Sequence, residues 1–470
     1  MKVKLILPAL AEAESPFWRP IKYSLFPPLG LATLAAYLSP DDEIDLQDQH
    51  VEVLNLDDAP DLVLIQVYIT NAYRAYRIAD QYRQKGAYVI LGGLHVTSLP
   101  DEALPHADTI FTGPGEETFP RFLEDFKKGV PKMIYHSSIR TLQKIPPIRR
   151  DLIKRNRYLV PNSIVVTRGC PHHCAFCYKD AFFEGGKGFY TQLVDDALAE
   201  IERLPGRHLY FLDDHLLGNA KFATSLFEGM KGMNRVFQAA ATVDSVLRGD
   251  LIEKAARAGL RSLFVGFETF SPENLKQGNK KQNLEKDYVQ AVNRLHSLGI
   301  MINGSFVFGL DDDDRDVFKR TVDWGVNNAI TTATFHILTP YPGTRLYKSM
   351  EQQGRILTKN WDQYDTRQVV YQTTGLTAAE LKDGYDWAYQ SFYSWSNIFK
   401  SSFSHNALKH QLKHLLYAGG WKKFEPLWNF LIKTRNLNHM LPLLESILSK
   451  VKEKKTDLHT HVHIPATNKA

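Results

Sequence analysis

The sequence predicts an α/β protein in three parts: a doubly wound parallel sheet, a (β/α)6-type partial TIM barrel and a helical C-terminal region. Three observations predict it. Short apolar runs alternate with helical patterns over the first 130 residues, a second β/α series begins at Ser163, and beyond Gly375 the strand signals stop. At 470 residues the chain has room for two or three domains, and we divide it at 1–145, 146–375 and 376–470.

In the first part, Val3–Leu7 reads as a buried strand and Pro27–Leu38 (PPLGLATLAAYL) as a helix. Leu62–Val67 is a second strand, and the helical pattern Ala72–Lys85 stops before Gly86. Tyr88–Leu91 and Thr109–Phe111 are further strands, with Glu116–Lys127 a helix. Helices between strands demand parallel crossovers, so this part is Rossmann- or flavodoxin-like. Ligands of such sheets sit beyond the strand carboxyl ends. That singles out the loops after Leu7, after Val67, and Gly92-Gly93-Leu94-His95. Residues 131–160, with Pro146-Pro147 and a basic run, read as a connector. Barrel strands follow at Ile164–Thr167, His208–Leu212, Phe237–Val243, Ser262–Phe267, Met301–Phe308 and Thr332–Leu338, with helices such as Gln192–Leu204 and Asp287–Leu298 between them. The working face of such a barrel is at the strand C-termini.

Composition excludes several classes. Hydrophobic residues make up 44% and charged ones 23%, which excludes a mostly disordered chain, and three cysteines exclude a disulfide scaffold. No apolar run approaches the roughly 20 residues needed to span a bilayer, and Met1 opens directly into a strand, so we expect a cytoplasmic protein with no transmembrane segment. A net charge of +5 on so large a surface does not argue for nucleic acid as a partner.

All three cysteines, Cys170, Cys174 and Cys177, fall in RGCPHHCAFCYKD, directly after the first barrel strand. A disulfide would leave one thiol over. Structural zinc needs four ligands, with His172 or His173 as the fourth. Soft thiolates also suit a four-iron cluster, three of them leaving one iron open. The C-x3-C-x2-C spacing, with Phe176 before the last cysteine, resembles the signature of the radical S-adenosylmethionine superfamily. The resemblance covers residues 160–370 and implies a [4Fe-4S] cluster whose open iron is chelated by S-adenosylmethionine. Reduction would then release methionine and a 5′-deoxyadenosyl radical. It further implies that Phe176 belongs to the cofactor site, that Asp213 and Asp214 contact the methionine amino group, that Glu268 contacts the nucleoside, and that Gly304, Ser305 and Gly309 lie beside adenine. As ordinary structure, each of these would be a cap or a satisfied turn residue. The run Asp311–Asp314 lacks the spacing of a calcium loop and reads as a solvated turn.

A doubly wound domain ahead of this barrel resembles the cobalamin-binding-domain group of that superfamily. PPLGLATLAAYL, LGGLHVTSLPDEAL, GPGEETFPRFL and TPYPGT carry the resemblance, which extends it over residues 1–375. It implies cobalamin in the crevice between the two domains, held by backbone donors at Gly92, Gly93, Gly113 and Gly115. The chain departs from the group in one respect. Many members carry Asp-x-His-x-x-Gly after the first strand, whereas here that loop, PALAEAESPFW, has no histidine. Asp48-Gln49-His50 lies downstream and lacks the glycine, so His50 reads as an ordinary loop residue. Tyr68, Asn71 and Tyr73 are candidates for the lower face of cobalt, each with a plain alternative as a cap or packing residue.

His410 and His414, four apart in HQLKH, read as a solvated helix. The basic, aromatic segment Ala407–Leu444 reads as packing on the barrel rather than on a membrane, and the histidines of HTHVH as a mobile tail. The function expected is a radical enzyme that transfers a methyl group to an unactivated carbon. Radical ring closure, rearrangement or oxygen insertion is the alternative, as are a non-catalytic iron–sulfur protein and a zinc-stabilised nucleotide-binding module. The implied partners are a small-molecule, lipid or peptide substrate and an electron donor such as flavodoxin or ferredoxin.

Overall fold

The structure, a computed structural model, describes residues 1–11, 25–284, 286–405, 407–423 and 441–449. Its first sheet is parallel throughout and built from β1 (Lys2–Leu7), β2 (Glu43–Asp48), β3 (Leu62–Gln66), β4 (Tyr88–Gly92), β5 (Thr109–Thr112) and β6 (Ile134–His136). The order β2-β1-β3-β4-β5-β6 reverses direction between β1 and β3, which opens a crevice at their carboxyl ends. Strands β1 and β3 are covered on both faces, hence their largely apolar runs, which in β1 are interrupted by Lys4, buried against Asp58. The sequence reading missed the two edge strands. EIDLQD of β2 is exposed at its start and carries three acids, and β6 is three residues inside the expected connector. Short or charged edges resist pairing with other chains and leave little apolar signal. The expected helix Pro27–Leu38 is shorter, an α-helix at Leu29–Leu34 continued by a 3-10 turn at Ala35–Tyr37.

The second sheet holds β7 (Ser163–Ile164), β10 (His208–Phe211), β11 (Val236–Thr242), β12 (Leu260–Glu268), β13 (Met301–Phe308) and β14 (Thr332–Ile337) in the order β14-β13-β12-β11-β10-β7. Its edges β7 and β14 are not paired, so the barrel is partial, and its six strands fall where the sequence places them. The first is cut to two residues for a physical reason. The N–H groups of Val166 and Thr167 donate to Asp213 Oδ1 instead of continuing the ladder. The chain then forms an antiparallel pair of β8 (Thr167–Gly169) and β9 (Phe189–Thr191) that the sequence did not announce.

One core lies inside the barrel sheet and its helices. Another is shared: Ile65, Val67 and Leu91 of the first sheet pack in the same cluster as Val307, Leu338 and Trp361. The C-terminal region is helical at Ala378–Phe392, Trp395–Phe403, Leu408–Lys423 and Leu441–Ser449. Helix Leu408–Lys423 is inside out. Leu408, Leu412 and Leu416 are exposed, while Lys413 and His414 are 8% and 2% exposed. The solvated reading of His410 and His414 is therefore corrected. His414 Nδ1 lies 3.1 Å from His405 Nε2, and the His405 ring sits 4.9 Å from that of His296, at the amino-terminal end of β13. Phe424, Trp428, Phe430 and the HTHVH histidines lie outside the described residues. Among the described residues, no helix is long and apolar enough to cross a membrane.

Candidate active site

Strand β8 delivers the cysteine loop at the carboxyl end of the barrel. Gly169 opens it at φ +78°, and a Cβ there would strike the Gly188 carbonyl, which accepts the Cys170 N–H at 3.2 Å. Further on, the Cys177 N–H donates to the Cys174 carbonyl (3.1 Å) and the Ala175 N–H to the Gly278 carbonyl (2.9 Å). All three thiols are free, with Cys174 the most deeply buried. Burial pushes the Cys170 thiol up and that of Cys177 up to about 11, with nearby Lys179 opposing in both.

Neither loop histidine joins the cysteines in a metal-holding group among the described residues. His173 Nδ1 lies 2.9 Å from Asp180, and His172 stacks against His215 with ring centroids 5.6 Å apart. Among the described residues, no three His, Cys, Asp or Glu side chains converge on one ion. Three free sulfurs on a short loop, with no fourth protein ligand beside them, fit a cluster that keeps one iron open.

The two adjacent aspartates separate. Asp213 is spent on the backbone of Val166 and Thr167, and burial raises its carboxyl to about 7. Asp214 lines a cavity, where its Oδ2 accepts the Gly169 N–H (3.0 Å) and its Oδ1 accepts the Tyr178 hydroxyl (3.3 Å). Glu268 ends β12 at φ +65°, a left-handed backbone that non-glycine residues rarely hold, and pairs with Lys280 Nζ at 2.5 Å. Gly266 makes room for the pair, since a Cβ there would stand 2.5 Å from Glu268 Oε1 and 3.1 Å from Lys280 Nζ. Ser305 is buried on β13, in register with Gly266 on β12 and Thr334 on β14. Gly304 beside it faces the Phe306 ring. Gly309 turns at φ +90°, and its carbonyl accepts the Tyr371 hydroxyl. Asp313 corrects the solvated-turn reading. It is buried, accepts the N–H groups of Gly309 (2.9 Å) and Leu310 (3.1 Å), and is raised to about 7 by burial.

Lys280, Gln282 and Lys179 were not found from sequence. Lys280 is 7% exposed, and Gln282 Nε2 donates to Cys174 Sγ at 3.4 Å. GNKKQ gives no local sign of a buried site, because lysines are seldom buried unless paired. The partner that would have marked Lys280 is Glu268, on another element.

The cavity, about 980 Å³, lies between the carboxyl ends of both sheets. Leu7, Gln66, Tyr68 and Gly93 line it from the first sheet, and Arg168 and Asp214 from the second. Of the lower-face candidates, Tyr68 is on the wall, its hydroxyl accepting from Gln66 Nε2 at 2.9 Å. Asn71 is a cap instead: its Oδ1 accepts the Tyr68 N–H and its Nδ2 donates to the Pro8 carbonyl. The Tyr73 hydroxyl donates to the Lys359 carbonyl, away from the cavity. Gly93, at φ +116°, is fixed by close approach, since a Cβ would come within 2.7 Å of the Val67 carbonyl. The Gly92 carbonyl accepts the Val67 N–H, the Gly113 N–H is taken by Thr97 Oγ1, and Gly115 packs against Leu34. Both ring nitrogens of His50 are engaged, Nδ1 with Asp48 and Nε2 with the Leu10 N–H. A mainly apolar cavity of this size, with a few polar groups such as Gln66, Arg168 and Asp214 on its wall, fits a large organic cofactor at a switch point.

Residues 164–325 match the radical SAM superfamily, and residues 23–123 match the B12 binding domain. Bacteriochlorophyllide d C-12(1)-methyltransferase of Chlorobaculum tepidum is 31% identical over 353 residues, covering 72% of this chain and 76% of that protein. Hopanoid C-2 methylase of Rhodopseudomonas palustris is 24% identical over 351 residues, 71% of this chain and 66% of its own. The cobalamin-dependent S-adenosylmethionine radical enzyme OxsB, solved with aqua-cobalamin and S-adenosylmethionine bound, superposes with a TM-score of 0.65 at 17% identity. The match covers 95% of this chain and 75% of that one. TsrM of Kitasatospora setae, solved with cobalamin and a [4Fe-4S] cluster, gives 0.62 at 14% identity, over 93% of this chain and 99% of that one.

A partial barrel with an open-ended cysteine loop, facing a doubly wound B12-type sheet, defines a radical S-adenosylmethionine enzyme. The chain belongs to the cobalamin-dependent radical S-adenosylmethionine methyltransferases, and the cofactors of that family are a [4Fe-4S] cluster, S-adenosylmethionine and cobalamin.

Proposed function

We propose that this enzyme methylates an unactivated carbon of a small-molecule or lipid substrate, with electrons from a flavodoxin- or ferredoxin-type donor. The observation that carries the reading is the shared cavity. Asp214 and Arg168, beside the cysteine loop, and Tyr68 and Gly93, at the other sheet's switch point, line one space. When bound there, cluster and S-adenosylmethionine supply a hydrogen-abstracting radical and cobalamin supplies the methyl group. Relatives named for methylation at defined carbon positions support the same outcome.

In this reading Cys170, Cys174 and Cys177 hold the cluster, and Phe176 packs the loop. The Glu268–Lys280 pair and Asp214 orient S-adenosylmethionine, and Ser305 lies along its strand. Gly93 and Tyr68 would be the first-sheet residues that meet the cobalamin. Burial raises the Tyr68 phenol, so it would meet the cofactor as a neutral ring. The sequence division at 145 and 375 then separates cobalamin, radical and C-terminal units.

The test is anaerobic purification from cobalamin-fed cells, followed by iron and cobalt analysis and transfer of labelled methyl from S-adenosylmethionine. Cobalt stoichiometric with chain, beside iron, is the expected result. Cys174→Ala is expected to lose iron and all cleavage of S-adenosylmethionine, and a retained cleavage rate would refute the assignment.

A further inference from the structure

We propose that residues 278–282 (GNKKQ) clamp the cysteine loop, and that Gln282 sets the reduction potential of the cluster through its N–H···S bond to Cys174. The inference rests on the cluster reading above. Four contacts tie this short segment to the loop. The Gly278 carbonyl accepts the Ala175 N–H at 2.9 Å, and Asn279 Nδ2 donates to the His173 carbonyl at 2.5 Å. The Phe176 ring lies so close to Gly278 that a Cβ would come within 3.3 Å of Cε1. Gln282 Nε2 then reaches Cys174 Sγ at 3.4 Å.

The chemistry follows from burial. Cys174 is the most enclosed of the three cysteines, and Gln282 is 9% exposed, so water does not screen the bond between them. Reduction adds negative charge to a cluster, and a donor aimed at a ligand sulfur stabilises the charge-rich state, which raises the potential. Of the two lysines in the segment, Lys280 is neutralised by Glu268 at 2.5 Å and Lys281 is exposed. The neutral Gln282 is the side chain of the segment that donates directly to a cysteine sulfur. It is a positioning residue for electron entry and is distinct from the groups proposed to hold S-adenosylmethionine.

The experiment compares full-length, cluster-loaded wild type with Gln282→Leu and Gln282→Met, both close in size and without a donor. The midpoint potential is read by EPR-monitored titration and S-adenosylmethionine affinity by equilibrium binding. Both variants are expected to keep their iron, bind S-adenosylmethionine as wild type does and show a lower midpoint. Cleavage should slow severalfold with a flavodoxin-type donor and recover with a stronger chemical reductant, a rescue that a merely structural role would not give. An unchanged midpoint overturns the proposal, as does weakened S-adenosylmethionine binding at an unchanged midpoint. If the leucine variant loses iron, the methionine variant decides; iron loss in both leaves a clamp without tuning and refutes the electronic role. An iron-free wild type would refute the functional reading itself, and this inference with it.

Discussion

Asp213 and Asp214 are adjacent and chemically identical, and the fold gives them different work. Asp213→Ala would strand two buried N–H groups, at a cost of about 1–3 kcal/mol that thermal unfolding should show. Asp214→Asn is expected to leave the melting temperature nearly unchanged and to weaken binding of S-adenosylmethionine, measured by equilibrium dialysis. The sequence placed both aspartates at a strand end but could not assign these roles, because the deciding partners, Thr167 and Tyr178, lie more than 30 residues away in sequence. The three cysteines could be grouped from sequence alone for the opposite reason, since their C-x3-C-x2-C spacing is local. Lys280 and Gln282 escaped because each meets its partner, on another element, only once the barrel has folded.

Among elements, the barrel strands were legible and the edge strands of the first sheet, β2 and β6, were not, since burial writes the apolar pattern. Helix Leu408–Lys423 misled more deeply, because it buries His414 and Lys413 and exposes leucines. Its seat titrates. Burial lowers His414 to about 3 and His296 and His405 to about 4, and lowers His410 as well, against an ordinary value of about 6.5. The facing groups are also cationic: Lys413, lowered to about 8, with Arg261 and Lys409 nearby. For a histidine whose folded pKa is depressed, the unfolded state binds the proton first. The histidine contribution to stability is therefore full above about 6.5 and drains as pH falls toward 4. Hydrogen exchange should accordingly show this helix losing protection between pH 6.5 and 5, before the barrel strands do. His414→Leu is expected to flatten that dependence.

For the molecule as a whole, the two sheets are bound by more than the shared core. Arg168 on β8 pairs with Glu116 at the start of helix Gly115–Lys127, on the cavity wall. Removing one partner leaves the other partly buried without its counter-charge, and Glu116→Leu should cost roughly 2–4 kcal/mol. Arg168→Met combined with Glu116→Leu is expected to recover most of that loss. Urea unfolding of the four proteins in a double-mutant cycle measures the coupling. A near-zero interaction term would mean that the cores alone hold the sheets together.

The left-handed Glu268 has a consequence for anyone who evolves this enzyme. Its backbone costs on the order of 1 kcal/mol that glycine would not incur, and buried ion pairs are often replaceable by apolar groups without loss of stability. A library selected only for survival of heat should therefore drift toward variants such as Glu268→Gly with Lys280→Met. Those survivors would fold better and turn over less, so heat resistance alone is the wrong criterion at this corner of the barrel.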